Sequence, residues 1–219
     1  MGTNYEILIA DDHPLFRSAL LQALNAGLPG ALQLTEVGTI AELQTLLEER
    51  SNWDLVLLDL NMPGAHGFSG LVLLRSQFPH IPVIVVSAQE EAAVVRRARD
   101  FGASGFIPKS SSLEVIQASV QAVLDGDVCW PPQVDDSVSP LSAEQETISA
   151  QLASLTPQQF RVLSMVCDGL LNKQIAYELN VSEATVKAHV TAIFRKLDVR
   201  TRTQAALALQ HMELARKTP

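Results

Sequence analysis

The stretch 54–64, DLVLLDLNMPG, decides how this chain reads. Four apolar residues stand between Asp54 and Asp59, and Asn61, Pro63 and Gly64 follow at once. The run is too short for a helix and too continuous for a strand with one wet face; it reads as a strand covered on both sides, as in a parallel sheet. The residues after it mark a turn. Working outward, EILIA (6–10), LQLTEV (32–37), IPVIVVS (81–87) and GFIP (105–108) repeat the theme. Helix-like stretches lie between and after them at 14–27, 40–50, 66–78, 90–101 and 111–125. Five such βα units predict an α/β, doubly wound five-stranded parallel sheet.

With 47% hydrophobic and 18% charged residues, the 219-residue chain is globular rather than disordered. No apolar run approaches the ~18 residues that cross a bilayer, so no membrane partner is expected. The opening MGTNYEILIADD carries no basic segment before an apolar one, so no signal peptide is expected. Cys129 and Cys167 fit neither a metal spacing nor a disulfide framework, which points to a reducing, cytoplasmic setting. Charge is divided: residues 1–127 hold 15 acids and 7 bases, 128–154 hold 4 acids and no base, and 155–219 hold 5 acids and 9 bases. An acidic front and a basic tail imply two domains with different partners, and the tail raises nucleic acid. VCWPPQVDDSVSP (128–140) reads as a linker, and Ser142 with Gln145 as a capping box opening a short helix to about Leu152.

In a doubly wound sheet, ligands bind beyond the carboxyl ends of the strands. Strand one ends in Asp11-Asp12, strand three in Asp59 and strand four in Ser87, and Lys109 follows strand five. Three carboxylates in one crevice repel unless a cation sits among them, and an all-oxygen set suits Mg²⁺. A hydroxyl and a lysine at the rim suit a phosphoryl group, which a carboxylate can accept as an acyl phosphate. Taken singly, each acid reads as a strand-end or helix cap; their convergence on one edge favours a site. His13 sits beside the acids; with Pro14 at the first helical position it reads as the residue opening that helix rather than as a ligand.

Residues 5–125 resemble the receiver domain of bacterial response regulators, on Asp11-Asp12, LLDLNMPG (57–64), Ser87-Ala88 and Lys109. The resemblance implies a flavodoxin-like fold in which Asp59 accepts phosphate from a sensor histidine kinase. It implies that Asp12, Asp59 and the Asn61 carbonyl hold Mg²⁺, with Asp11 acting through water. Ser87 and Lys109 would bind phosphoryl oxygens, Phe106 would be the aromatic switch, and Asn61 and Gln89 would tune dephosphorylation. Ser110 follows Lys109 where many receivers have proline.

From Thr156 on the pattern is helical. Thr156 reads as an N-cap with Pro157 at N1, and that helix ends near Gly169. Asn172 reads as the cap of a short helix to Leu179, with a left-handed turn at Asn180. Ser182 caps a longer helix to Leu197. Short helix, tight turn and longer helix make a helix-turn-helix. In the longer helix Val186, Val190, Ile193 and Leu197 form the apolar stripe, while Ala184, Lys187, Ala188, Thr191 and Arg195 form a small, polar and basic face suited to a major groove.

The segment from Leu155, LTPQQFRVLSMVCDGLLNKQIAYELNVSEATVKAHVTAIFRKLDVRTRTQAA, resembles the LuxR-type DNA-binding domain of NarL/FixJ response regulators. Leu171 replaces a common Ser or Thr, and Asn180 and Asp198 stand at frequent glycine positions. The resemblance assigns Lys187, Ala188 and Thr191 to base edges, and Asn172, Lys173, Thr185, Arg195 and Lys196 to phosphates. A final helix over 201–214 would dimerise the protein on an inverted repeat, with RNA polymerase a further candidate partner.

The expected organisation is a receiver at 1–127, a linker at 128–154 and a DNA-binding domain at 155–219. The expected function is a phosphorylation-controlled transcription regulator, not an enzyme beyond self-phosphotransfer and autodephosphorylation. The charge contrast leads to the expectation that the unphosphorylated receiver crowds the recognition helix. Two other classes compete. A phosphohydrolase would want an acid two residues after the nucleophile, where Asn61 stands. A pure interaction module would have no evident need for the five pocket residues.

Overall fold

The computed structural model describes residues 4–28, 30–50, 52–132 and 143–210. Its front half contains strands β1 (Asn4–Ala10), β2 (Ala31–Val37), β3 (Leu55–Asp59), β4 (Val83–Ser87) and β5 (Gly105–Pro108). Helices α1 (Pro14–Gly27), α2 (Ile40–Glu49), α3 (Ser69–Gln77), α4 (Ala92–Asp100) and α5 (Leu113–Leu124) alternate with them. All pairings are parallel, in the order β2-β1-β3-β4-β5. This is the doubly wound sheet expected from the apolar runs. Every residue of β3 and β4 is buried, which is why their sequences do not alternate.

Alternate side chains feed two cores. Ile7, Ile9, Leu57 and Val86 pack with Leu20 and Leu24 of α1 and Ile116 and Val120 of α5. Leu8, Leu58, Val85 and Phe106 pack on the other face with Ile40 and Leu43 of α2, Leu71 of α3 and Val94 of α4. Helix α2 begins with a reciprocal cap: Thr39 Oγ1 accepts from Glu42 N (3.2 Å), and Glu42 Oε2 accepts from Thr39 N (3.2 Å). Helix α3 starts three residues later than the periodicity suggests, because Ser69 Oγ accepts from His66 N (3.0 Å) and holds the preceding residues as a turn.

The rear half contains α6 (Ala143–Ala153), α7 (Pro157–Cys167), α8 (Asn172–Glu178), α9 (Glu183–Lys196) and α10 (Arg202–Gln210). Thr156 and Gln159 cap α7 reciprocally, and Ser182 Oγ accepts from Thr185 N (3.1 Å) at the start of α9. Asn180 and Asp198 both adopt φ of 51°, the left-handed conformation their residue types tolerate. One detail differs from expectation. Asn172 is the first helical residue of α8 and Leu171 its N-cap; the aliphatic side chain caps nothing, and Gln174 Oε1 takes the Leu171 N–H instead (2.7 Å). Ser142 and the end of the last expected helix, 211–214, lie outside the described residues.

The two halves share one apolar core, which runs from α2 and α3 into α6 and α7. Arg161 of α7 donates to Ala41 O (2.5 Å), Gln44 Oε1 (3.3 Å) and Thr45 Oγ1 of α2. Gln77 Nε2 donates to Leu155 O (3.0 Å), and His66 Nε2 lies 3.6 Å from Asp168 Oδ1. The expectation that the receiver crowds the recognition helix is therefore corrected. It holds α6 and α7, through apolar burial and these polar contacts, and Ala184, Lys187, Ala188, Thr191 and Arg195 of α9 stay exposed. Arg161→Ala leaves the fully buried Gln44 without this donor, a loss of about 1–3 kcal/mol. We expect a larger radius of gyration in X-ray scattering and about tenfold faster amide exchange over 41–45, both unchanged if the contact does not hold the halves together.

Candidate phosphoacceptor pocket and nucleic-acid face

The strand order reverses between β1 and β3, and the crevice opens at that point. Asp11 follows β1 and Asp59 ends β3; each is 1% exposed. Lys109, just beyond β5, places Nζ 2.6 Å from Asp11 Oδ2 and 2.8 Å from Asp59 Oδ2. Its ammonium also lies 4.9 Å from the centre of the Phe16 ring. Ser87 ends β4, fully buried; its Oγ accepts from Gln89 N (3.1 Å) and its carbonyl from Lys109 N (2.8 Å). Asn61 N donates to Asp59 Oδ1 (3.1 Å), which turns the Asn61 backbone around the carboxylate. Phe106 is buried, with its residue paired to Val85 in the sheet. The five polar residues read from the strand ends thus meet at one edge.

Asp11, Asp12, His13 and Asp59 each offer one ligand atom, all within 4.8 Å of one another. Asp12 Oδ1 is buried without a hydrogen bond. Three carboxylates brought this close, one of them with a buried oxygen that accepts no hydrogen bond, fit a divalent cation. Burial pushes the Asp59 carboxyl above its ordinary value, with the Asp11 charge adding a smaller push; the hydrogen bonds from Lys109 and Asn61 and the Lys109 charge offset this only in part. Burial alone would lower the Lys109 ammonium, but its hydrogen bonds to Asp11 and Asp59 and their charges raise it overall. Sequence reasoning missed Phe16 and Arg17. Arg17 Nη1 donates to Asp11 O (2.6 Å) and its Nε to Glu36 Oε2 (2.9 Å), so it fixes the end of β1. The signal was present: Arg17 follows His13 by one helical turn and so faces the same strand end.

On α9, Lys187, Ala188, Thr191 and Arg195 are exposed together, with Thr185 at the start of the same face and Lys173 exposed on α8. Lys187 has a loose partner, Glu183 Oε1 at 3.6 Å. Two of the residues assigned to phosphates have internal partners. Lys196 Nζ donates to Ser154 O (2.6 Å) and Gln159 Oε1 (2.8 Å), which ties α9 to α7. Asn172 Oδ1 accepts from Arg202 Nη1 (2.8 Å), and Arg202 also reaches Leu170 O, which ties α8 to α10. Arg202 was not singled out in the sequence because no local periodicity links 202 to 170.

Comparison with known proteins agrees with this arrangement. Residues 7–121 match the response regulator receiver domain, and residues 153–209 match the luxR family of bacterial regulatory proteins. The chain belongs to the response regulators. It is 43% identical over 209 residues to a glycerol metabolism activator of Pseudomonas putida, covering 93% of this chain and 94% of that one. It is 34% identical to the nitrate/nitrite response regulator protein NarP of Escherichia coli K12, covering 94% of each. A solved structure of two RcsB dimers bound to two parallel DNAs superposes with a TM-score of 0.56 at 23% identity, covering 96% of this chain and 98% of that one; at that identity it speaks to fold. The regulator thus joins a receiver to a DNA-binding domain and acts in transcription regulation. Among the described residues no helix is long and apolar enough to cross a membrane.

The raised Asp59 carboxyl carries a pH signature. Between the ordinary value of 3.8 and the raised one, the folded protein keeps a proton that the unfolded chain has released, so stability falls as pH rises through that window. Asp59→Asn removes this cost. We expect the cation-free variant to melt higher than wild type at pH 7, with the gap closing as pH falls below 3.8; a gap that persists unchanged at low pH would contradict the assigned cause.

Proposed function

We propose that residues 1–127 are the receiver of a two-component system, that 128–154 link it to the rest, and that 155–219 bind DNA. Asp59 is the phosphoacceptor. One of its carboxylate oxygens attacks phosphorus of a phosphohistidine on a sensor kinase; the P–N bond breaks, the histidine nitrogen leaves and takes a proton, and an acyl phosphate remains. Asp12, Asp59 and the Asn61 carbonyl hold Mg²⁺, with Asp11 acting through water; when bound, the ion supplies positive charge against the carboxylates and the phosphoryl oxygens. Lys109 transfers part of its charge-assisted bonding from Asp59 to a phosphoryl oxygen, and the Ser87 hydroxyl donates to another. Self-phosphotransfer from small phosphodonors and hydrolysis of the acyl phosphate use the same groups, so no further catalytic site is needed. The buried Asp59, 2.8 Å from Lys109 at the crevice of a chain that also carries a luxR-type domain, is the observation that supports this reading most.

Phosphorylation shifts the receiver toward a state that releases α6 and α7 and lets the rear domain pair as a homodimer on an inverted repeat. Lys187, Ala188 and Thr191 then face base edges, and Lys173, Thr185 and Arg195 face phosphates, with Asn172 and Lys196 positioning the helices that carry them. Phe106 turns with Ser87 in that shift. The setting is the cytoplasm, and RNA polymerase is the partner that would read the bound regulator.

Selection from a random duplex library, with and without acetyl phosphate and Mg²⁺, tests this directly. Wild type should enrich an inverted repeat more strongly with the donor, and Asp59→Asn should show no donor effect. Enrichment indifferent to the donor would remove the phosphoacceptor half of the proposal, and no enrichment would remove the DNA half. On the selected site, Arg195→Ala should reduce the slope of log affinity against log salt by about one, with little change in which sequence is chosen.

A further inference from the structure

His13 stands at the N-cap of α1, yet its side chain makes no capping hydrogen bond. The Pro14 ring at the next position already presets the helical φ. Opening the helix thus accounts for the His13 backbone and leaves its imidazole unexplained. The backbone is fixed from the other side, since His13 N donates to Asp11 Oδ1 (2.8 Å). The ring turns toward the crevice. Nδ1 lies 2.6 Å from Asp12 Oδ1, 3.4 Å from Asp11 Oδ1 and 3.9 Å from Asp59 Oδ2.

Those separations resemble those between atoms bound to one ion. With bonds of about 2.1 Å, neighbouring ligands of an octahedral ion lie about 3.0 Å apart and opposite ones about 4.2 Å. The shortest contact points the same way: His13 Nδ1 and the buried Asp12 Oδ1 lie 2.6 Å apart but are not aligned for a hydrogen bond, as expected of two atoms aimed at a common point. Lys109 engages Asp11 Oδ2 and Asp59 Oδ2, so Asp11 Oδ1 and Asp12 Oδ1, the two oxygens nearest the imidazole nitrogen, are left for a cation.

We propose that His13 Nδ1 is a further ligand of the receiver cation, making a mixed nitrogen–oxygen site that favours first-row transition ions over Mg²⁺. Imidazole gains on the later divalent ions and gives little to Mg²⁺, which prefers oxygen and keeps its waters. His13 therefore sets which ion the pocket selects, and the proposal rests on the cation site described under the proposed function.

The test uses the full chain. Pulsed electron paramagnetic resonance of the Mn²⁺-loaded protein should show coupling to one imidazole nitrogen, and His13→Ala should lose it while still binding the ion. Calorimetry should show that His13→Ala weakens Co²⁺ binding about tenfold and leaves Mg²⁺ binding within about twofold. The side chain is 64% exposed, so the fold should tolerate the change, and a circular dichroism melt checks this. His13→Gln serves as the second variant and should also lose the nitrogen signal. Mn²⁺ bound to wild type without nitrogen coupling, or equal Co²⁺ affinities, overturns the role of His13 and leaves the oxygen site standing. No binding of any of the three ions overturns the cation site itself and this inference with it.

Discussion

The Lys109 ammonium wedged between Asp11 and Asp59 is the constraint on which the rest of the pocket depends. Two carboxylates that are each 1% exposed cannot both keep a charge side by side without a counter-ion, and one lysine neutralises only one of them. Burial, with a smaller push from the Asp11 charge, holds the Asp59 carboxyl above its ordinary value despite the lysine. A crevice so arranged gains from taking up a cation, and Lys109 is already aimed at the oxygen where phosphoryl charge would appear. Truncating Lys109 would leave buried carboxylates uncompensated, so the same residue serves stability and chemistry.

From that wedge, structure extends in one direction along the chain. Asn61 N binds Asp59, Pro63 O accepts from Ile40 N at the start of α2 (3.1 Å), and His66 reaches Asp168 beyond α7. Gly64, at φ of +84°, lets the turn pass close to Ile40, a conformation a side chain would strain. Arg161 then returns from α7 to α2. The loop leaving Asp59 is therefore packed against the surfaces that hold the rear domain. This contiguity is where the proposed control by phosphorylation would act, and it leaves the exposed face of α9 uncovered.

The sheet was legible because parallel strands buried on both faces leave unbroken apolar runs, and the pocket because its residues fall at successive strand ends. Asn180 and Asp198 were readable as left-handed turns for the same local reason. What could not be read were the long-range clamps. Arg161, Arg202 and Gln77 reach partners 30 to 120 residues away, and exposed-looking polar side chains carry no periodicity that names such a partner. Lys196 illustrates the converse: its charge matched a phosphate contact, but its ammonium is turned onto Ser154 and Gln159. The charge contrast between the halves suggested where the receiver would sit, but apolar burial and the Arg161 contacts decide it.

The central claim is that Asp59 becomes an acyl phosphate. Intact-mass spectrometry after incubation with acetyl phosphate and Mg²⁺ tests it most directly. Wild type should gain the mass of one phosphoryl group, hydride reduction should mark residue 59 alone, and Asp59→Asn should gain nothing. A phosphoryl group carried by the variant, or found on any other residue of wild type, would contradict the account.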